Sequence, residues 1–220
     1  MALLAHEPAL RLGAFLGAFA VMALAEALAP RRRRAFARLQ RWPANLGIVV
    51  IDTLLLRLAF PTAAVGVAML AAARGFGVLH WLHVPPAPAF VIALLVLDLA
   101  IYAQHVLFHA VPVLWRLHRM HHTDLDFDVT TALRFHPVEI LLSMALKIGL
   151  VAALGPPPAA VLVFEIVLNA AAMFNHANAR LPLRLDAALR WVLVTPDMHR
   201  VHHSTRIEET NSNYGFNLPW

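Results

Sequence analysis

Residues 87–122 read APAFVIALLVLDLAIYAQHVLFHAVPVLWRLHRMHH, an apolar run that ends in a group of histidines. A membrane-spanning helix needs about 20 mostly apolar residues, so this stretch predicts a span from about Ala87 to Val111. Pro112 is expected to end that helix, because proline lacks an amide donor and restricts the residue before it. The chain can then turn so that the histidines beyond the proline face those at the end of the span.

Nine of the thirteen histidines fall into clusters of this kind. One cluster reads H-x-x-x-H, two read H-x-x-H-H, and the ninth histidine stands in Asn-His-Ala-Asn. Residues three and four apart share a helix face, so each cluster can present two or three imidazoles to one point. Imidazole suits zinc, copper, iron and nickel, and because one zinc takes three or four ligands, nine fit two ions better than one. The candidate metal ligands are His105, His109, His118, His121, His122, His176, His199, His202 and His203.

The histidines outside the clusters include residues with no expected role in metal binding. A lone histidine is most often a surface or core residue, and His6, His80 and His83 are assigned to that class. A histidine tract that buffers metal loosely would be polar and low in complexity. The clusters instead adjoin long apolar segments, which favours a built site.

The composition is that of an integral membrane protein. Of the 220 residues, 60% are hydrophobic and 14% are charged, against about 45–50% and about 25% in soluble domains. The net charge is +5, but the arginines are clustered and not interleaved with aromatics, so no nucleic acid partner is expected. The absence of cysteine excludes disulfides and iron–sulfur ligation. The Ala/Leu/Arg-rich vocabulary is typical of a GC-rich bacterial genome.

Four further spans are predicted beside the one already quoted, and a short interfacial helix is predicted over 185–194. The first span is retained and is not a signal peptide, because arginines follow it where a small-residue cleavage site would stand. The last two spans are separated by a glycine–proline break. The fold class is therefore an all-α polytopic membrane bundle of four to five spans with a histidine-rich helical cap. It forms a single domain, 1–220, with N-terminal spans in 1–86 and the histidine region in 87–220. The four further spans are 9–29, 45–73, 138–154 and 158–174.

The arginine distribution predicts the orientation. Six arginines lie between Arg31 and Arg41, whereas the loop after the second span carries only Arg74. By the positive-inside rule the first of these loops is cytoplasmic. Five spans then place every histidine cluster on the cytoplasmic face, which we expect to be that of a bacterial inner membrane.

Acidic residues inside the spans are costly and usually functional. Asp98 shares a helical stripe with the first histidine pair and is expected either to orient an imidazole through its second ring nitrogen or to pair with an arginine or lysine. Glu165 is expected either behind the metal ligands or in a structural hydrogen bond. Asp52 is expected to pair with Arg57 or Lys147.

The pattern resembles the fatty acid hydroxylase / sterol desaturase superfamily of membrane di-iron enzymes over more than half of the chain. The resemblance implies an iron-dependent, oxygen-using hydroxylase or desaturase that acts on a lipid, with the nine clustered histidines as ligands. His136 matches a further family position and is a candidate ligand or a residue behind the ligands. The matching segments are DLAIYAQHVLFH at 98–109, LWRLHRMHHTD at 114–124, TALRFHPVE at 131–139, FNHAN at 174–178, PDMHRVHHS at 196–204 and NYG at 213–215.

The implied cofactors are two iron ions, with O2 as co-substrate. The implied partners are a membrane lipid and a separate electron donor of the ferredoxin or cytochrome b5 type with its reductase, because no His-Pro-Gly-Gly segment of a fused cytochrome b5 is present. Asp98, Glu139, Asp197 and Asn178 are candidates to orient ligands or to deliver protons. The substrate, the choice between hydroxylation and desaturation, the regiochemistry and the oligomeric state stay open.

Several alternatives remain at this point. Family members usually continue past Asn-Tyr-Gly with Trp-Asp and Phe-Gly-Thr, so a truncated chain or gene fragment is one expectation, and with it an inactive homologue or a metal transporter. A zinc hydrolase would carry H-E-x-x-H, which this sequence lacks. A bis-histidine haem carrier would need histidines at mid-membrane depth, whereas these cluster at one end of the spans.

Overall fold

The computed structural model describes residues 2–124 and 126–220. Within these residues the chain forms twelve α-helices and one 3-10 turn at Thr131–Leu133, and no strand beyond a single isolated bridge between Pro30 and Ala179. The helices are α1 Ala2–Ala5, α2 Glu7–Leu28, α3 Arg38–Ala59, α4 Ala63–Arg74, α5 Val78–Trp81, α6 Pro86–Ala110, α7 Pro112–His122, α8 Pro137–Leu154, α9 Pro158–Asn175, α10 Leu183–Leu189, α11 Pro196–His202 and α12 Ile207–Thr210.

Among the described residues, five helical segments are long and apolar enough to cross a membrane, which confirms the predicted all-α bundle. They are α2, the region Arg38–Trp81, α6, α8 and α9. Large apolar side chains such as Leu16, Leu24 and Leu58 point outwards and are more than half exposed. A soluble monomer rarely exposes so much apolar surface, and lipid would cover it here.

Prolines set where the helices begin. α6, α8 and α9 each have a proline in the first helical turn, where its missing N–H has no intrahelical partner in any case. α6 ends at Ala110 and Pro112 begins α7 at once. The turn expected at this proline is therefore present, and it folds the second histidine cluster back towards the first.

The second span differs from the prediction of one helix over 45–73. It starts earlier, at Arg38, because the Gln40 side chain accepts a 2.8 Å hydrogen bond from the backbone N–H of Ala37 and so caps the first turn. It is also divided, since Pro61 lacks an amide donor and separates α3 from α4. The interfacial helix predicted over 185–194 is the shorter α10, which begins after Pro182.

α9 lies in the middle of the bundle and packs against α2, α4 and α6. Where α4 meets its neighbours the buried side chains are small, namely Ala64, Val65 and Ala68, and they contact larger ones such as Leu97 and Phe164. Small residues let helix backbones approach closely, and the resulting van der Waals contacts help to hold a membrane bundle together.

The two ends of the bundle are built differently. At one end Gly77, with φ +106°, lies against Gly155, and a Cβ on Gly77 would fall 2.5 Å from the Gly155 nitrogen. Only glycine fits this approach, which fixes the segment before α5 to the α8–α9 turn. The opposite end, where α6 and α9 finish and α7 and α11 lie, carries all the clustered histidines and is called the histidine end below.

Candidate metal centre

The structure brings all nine clustered histidines together in two groups. In each group one ring nitrogen per residue lies within 4.8 Å of those of the other members. The two groups touch, because the rings of His122 and His203 stack with centroids 4.3 Å apart. The first group is His105, His109, His118, His122 and His202, and the second group is His121, His176, His199 and His203.

Each H-x-x-H-H cluster contributes to both groups. In α7 the i, i+4 pair His118 and His122 enters the first group while His121 enters the second. At α11 the arrangement is reversed. His202 enters the first group, while the i, i+4 pair His199 and His203 enters the second. Successive residues are rotated by about 100° around a helix, so one turn can serve two neighbouring centres.

Three imidazoles of the first group form Nδ1 hydrogen bonds to a backbone carbonyl or to a carboxylate. His105 Nδ1 lies 2.6 Å from the carbonyl oxygen of Tyr214 and His202 Nδ1 lies 2.7 Å from that of Ser212. His118 Nδ1 lies 2.6 Å from Glu139 Oε1. A backbone carbonyl or an ionised carboxylate only accepts, so opposite these partners each Nδ1 carries the proton and donates it.

This fixes the state of the opposite ring nitrogens. A neutral imidazole that donates from Nδ1 has a bare lone pair on Nε2. His105 Nε2 nevertheless lies 2.9 Å from His118 Nε2 and 3.1 Å from His202 Nε2. Three lone pairs that converge at this distance repel one another unless a cation lies between them. The donor set and its orientation therefore fit a metal ion.

In the second group His176 plays the corresponding part. Its Nδ1 donates to the Ala172 carbonyl at 2.7 Å, and its Nε2 lies 3.0 Å from His121 Nε2 and 3.0 Å from His199 Nε2. His176 is the residue that caps the C-terminus of α9. The helix end thus both orients this ring and brings it beside α7 and α11.

Six of the nine clustered histidines are buried, and burial keeps their rings neutral. Burial lowers the pKa of His118, His121 and His199 well below the ordinary value, and neighbouring imidazoles lower it further. Burial also lowers the pKa of His176 to about 4. Neutral imidazole is the form that binds metal, so these rings are ready to act as ligands at neutral pH.

The family comparison agrees with this geometry. The sequence model of the fatty acid hydroxylase family matches residues 90–220, which include all nine histidines. This chain belongs to the fatty acid hydroxylase family. The resemblance read from the histidine clusters is therefore confirmed.

Curated relatives of this family member are lipid enzymes. The chain is 32% identical over 134 residues, 61% of its length, to ornithine lipid hydroxylase OlsE of Rhizobium tropici, of which the match covers 40%. It is 30% and 31% identical to the alkylglycerol monooxygenases of Xenopus tropicalis and Homo sapiens, over 55% and 56% of its length and 26% of theirs. The chain thus spans less than half the length of these relatives. No solved structure matches it significantly.

Glu139 contacts a candidate ligand as the sequence suggested, but Asp98 does not. The Asp98 carboxylate accepts hydrogen bonds from Asn217 Nδ2 at 2.7 Å, from the Leu218 amide at 3.3 Å and from Trp220 Nε1 at 2.6 Å. Neither expected partner, an imidazole or a basic side chain, lies against it in the described part of the chain. Asp98 instead holds the segment whose carbonyls orient His105 and His202.

Other sequence-predicted residues also lie elsewhere. Asp197 forms an ion pair with Arg31 at 3.0 Å at the aqueous edge of the histidine end and touches neither group. Asn178 exchanges hydrogen bonds with the backbone of Arg32 in the same region. His136 stands outside both groups, because its Nδ1 accepts from the Val138 amide and caps the start of α8.

The expected pairs inside the membrane need correction. Asp52 forms an ion pair with neither Arg57 nor Lys147 in the described residues, and its Oδ1 is buried without a hydrogen-bond partner. Lys147 pairs instead with Glu165, at 2.7 Å, and Glu165 also contacts Arg11 at 2.6 Å. Glu165 is therefore not behind a metal ligand. Sequence spacing could not find Arg11, because 154 residues separate it from its partner.

The loop after α7 is held by a buried network that the sequence analysis missed. Arg41 of α3 contacts Asp124 at 2.6 Å and Asp128 at 2.7 Å, and all three side chains are buried. Glu26 of α2 accepts hydrogen bonds from the backbone amides of Val129 and Asn178. Arginine clusters were interpreted only as an orientation signal, whereas Arg41 joins the N-terminal spans to the candidate metal centre.

In the described part of the chain, a cavity and a wider opening reach the histidines. A cavity of about 320 Å³ beside His105 and His118 extends between the helices and is lined mainly by apolar side chains such as Ile101, Phe108 and Met144. A larger, polar opening of about 830 Å³ reaches His122 and His203, and five arginines and four acidic residues line it. The candidate metal centre is therefore reached by both an apolar cavity and a polar opening.

Proposed function

We propose that this protein is a membrane oxygenase that hydroxylates or desaturates a C–H bond of a lipid, with two irons, O2 and electrons from a separate donor. The observation that carries the proposal is the convergence of bare Nε2 atoms in the first group, beside a second group of four histidines. The family membership and the lipid hydroxylases among the relatives support the reaction class.

The nine histidines would hold the irons, five in the first group and four in the second. Bound there, iron would supply the redox chemistry with O2 that no side chain provides. The ligand set consists of histidines and contains no carboxylate. This composition fits iron, because imidazole suits iron as a ligand. Glu139 and the carbonyls of Tyr214 and Ser212 set the direction of their imidazoles and stop the rings from rotating.

The rest of the chain would place the substrate. The apolar cavity beside His105 and His118 has the size and lining for part of a lipid chain. It excludes water from the C–H bond and fixes which carbon faces the centre, so that position sets the regiochemistry. The polar opening at His122 and His203 is the side from which a donor protein and protons would approach.

The N-terminal spans and the histidine region would form one functional unit. Arg31, Glu26 and Arg41 all precede the matched family region, yet each contacts a residue of the histidine end. We place this end on the cytoplasmic face of a bacterial inner membrane, since the arginines of 31–41 lie there.

The test is metal content together with product formation. Protein purified in detergent should contain about two irons per chain, and lipid extracts of cells that express it should gain a hydroxylated or desaturated lipid absent from cells without the gene. Zinc can replace iron during overexpression. The decisive measurement is therefore product formation after the protein has been reloaded with iron. One tightly held zinc, a haem spectrum, or iron-loaded protein without any lipid product would contradict the proposal.

A further inference from the structure

The cavity that begins at His105 and His118 has a second, polar end. Its wall there carries Arg11, Lys147 and Glu165 together with Asn169 and Ser143. Lys147 follows Glu139 by eight residues of α8, and at 1.5 Å per residue this places it about 12 Å further along the helix. The cavity thus leads from the candidate metal centre to a charged cluster through an apolar middle.

The charged cluster lies deep in the bundle. Lys147 is seven residues from the end of α8 and Glu165 is seven residues from the start of α9, so both are about 10 Å from the end opposite the histidines. The side chain of Glu165 is buried, and that of Lys147 is only 11% exposed. Ionisable groups at this depth in a membrane are costly and mark functional positions.

The hydrogen bonds of this cluster occupy both carboxylate oxygens of Glu165 but leave N–H donors of Lys147 and Arg11 without an acceptor among the described residues. Glu165 Oε1 accepts from Lys147 Nζ at 2.7 Å, and Oε2 accepts from Arg11 Nη2 at 2.6 Å. Arg11 Nε donates to Glu7 at 2.8 Å. The four charges therefore balance. An ammonium has three N–H groups and a guanidinium has five, so Lys147 and Nη1 of Arg11 keep N–H groups without an acceptor in the described residues.

We infer that the substrate is a lipid with an oxygen acceptor, such as a carboxylate or a carbonyl, that binds Lys147 and Arg11 at the deep end of this cavity. The inference rests on the proposed function and names its substrate class. An acceptor group satisfies the spare donors, and the apolar middle takes the chain. The oxidised carbon then lies a fixed distance from the acceptor, so the position of attack is counted from the polar group and not from the methyl end.

Binding tests the inference without catalysis. The probe is radiolabelled palmitic acid, added to iron-loaded protein in nanodiscs. Unlabelled palmitic acid should compete for the labelled probe at least about 10-fold better than hexadecane, which has no acceptor, because a hydrogen bond to a charged group is worth about 1.5–3 kcal/mol. Equal competition by the two compounds would overturn the inference, and so would a lack of saturable palmitic acid binding.

Variants locate the binding group. Lys147→Met should weaken palmitic acid binding about 10-fold or more, while Lys147→Arg keeps a cation and should restore most of it. Glu165 stays paired with Arg11 in the Met variant, which favours insertion. The matched control is Arg57→Met, which removes an exposed cation from α3 outside the cavity lining. Equal binding by Lys147→Met and the control would overturn the inference.

Product positions separate this inference from the proposed function. With myristic, palmitic and stearic acids the oxidised carbon should keep its number from the carboxyl carbon, and Lys147→Met should spread the products over several positions. Positions that keep their number from the methyl end would overturn the inference and leave the proposed function intact. Selective palmitic acid binding without any product would support the deep site and count against the proposed function.

Discussion

The carboxylate of Asp98, in the middle of α6, accepts a 2.6 Å hydrogen bond from the indole Nε1 of Trp220, 122 residues later in the chain. Asn217 donates to the same carboxylate at 2.7 Å. Together these bonds hold the end of residues 212–220 against the middle of α6. The segment passes directly against the first group, where its carbonyls orient two imidazoles.

Asp98→Asn should therefore loosen the candidate metal centre without touching a ligand. The neutral amide accepts these bonds less strongly, and losing charge-assisted hydrogen bonds costs about 1.5–3 kcal/mol. We expect a lower thermal unfolding midpoint in detergent and faster loss of iron to a chelator. Asp186→Asn is the control, because this buried aspartate of α10 pairs with Arg190, the residue that follows the helix, and not with residues 212–220. Equal iron loss from both variants would show that Asp98 does not act through the segment.

Single ligand removals should abolish oxidation. His121→Ala and His202→Ala each take one imidazole from a different group, so each leaves one metal position short of a ligand. Iron per chain should fall and product formation should be lost, while membrane insertion persists because the apolar spans are unchanged. His80→Ala and His83→Ala are the controls, since His80 lies beside Gly155 at the opposite end of the bundle. Comparable activity in all four variants would disprove the catalytic role of the two groups.

Glu139 should act by holding His118. Replacing it with leucine removes the acceptor for His118 Nδ1, and loss of such a partner typically lowers metal affinity or activity about 10- to 100-fold. Glu139→Gln retains an amide oxygen that can accept, so its loss should be smaller. Leu142→Ala on the lipid side of the same helix is the control. Iron titration and product assays measure the effect. Normal iron affinity and activity in Glu139→Leu would show that Glu139 does not act through His118.

The orientation can be tested with introduced cysteines, because the chain has none of its own. Thr123→Cys and Thr205→Cys lie exposed at the histidine end, whereas Leu82→Cys is exposed near the opposite end. An impermeant thiol reagent added to spheroplasts should label Leu82→Cys and leave the other two unlabelled until the membrane is opened. The reverse labelling pattern would place the histidine end outside.

Much of this fold could be predicted from local sequence patterns. Apolar runs longer than about 20 residues define spans regardless of their neighbours, and prolines such as Pro112 set helix ends through their own geometry. Pro61 ends a helix in the same way, but the sequence analysis did not use it. The second span was therefore predicted as continuous, whereas the structure divides it. The metal-binding character of the nine histidines was also local, because i, i+3 and i, i+4 spacing fixes which rings share a helix face.

The sequence by itself therefore determined a helical membrane bundle with two H-x-x-H-H clusters built to present imidazoles. Only the tertiary structure decided that His118 and His202 meet in one group while His121 and His199 meet in another. It alone also paired Asp98 with Trp220 and Glu165 with Arg11. Helix periodicity fixes neighbours within one turn, whereas these partners are separated by between 78 and 154 residues, and how α2, α7 and α11 pack against the bundle is set by the whole chain.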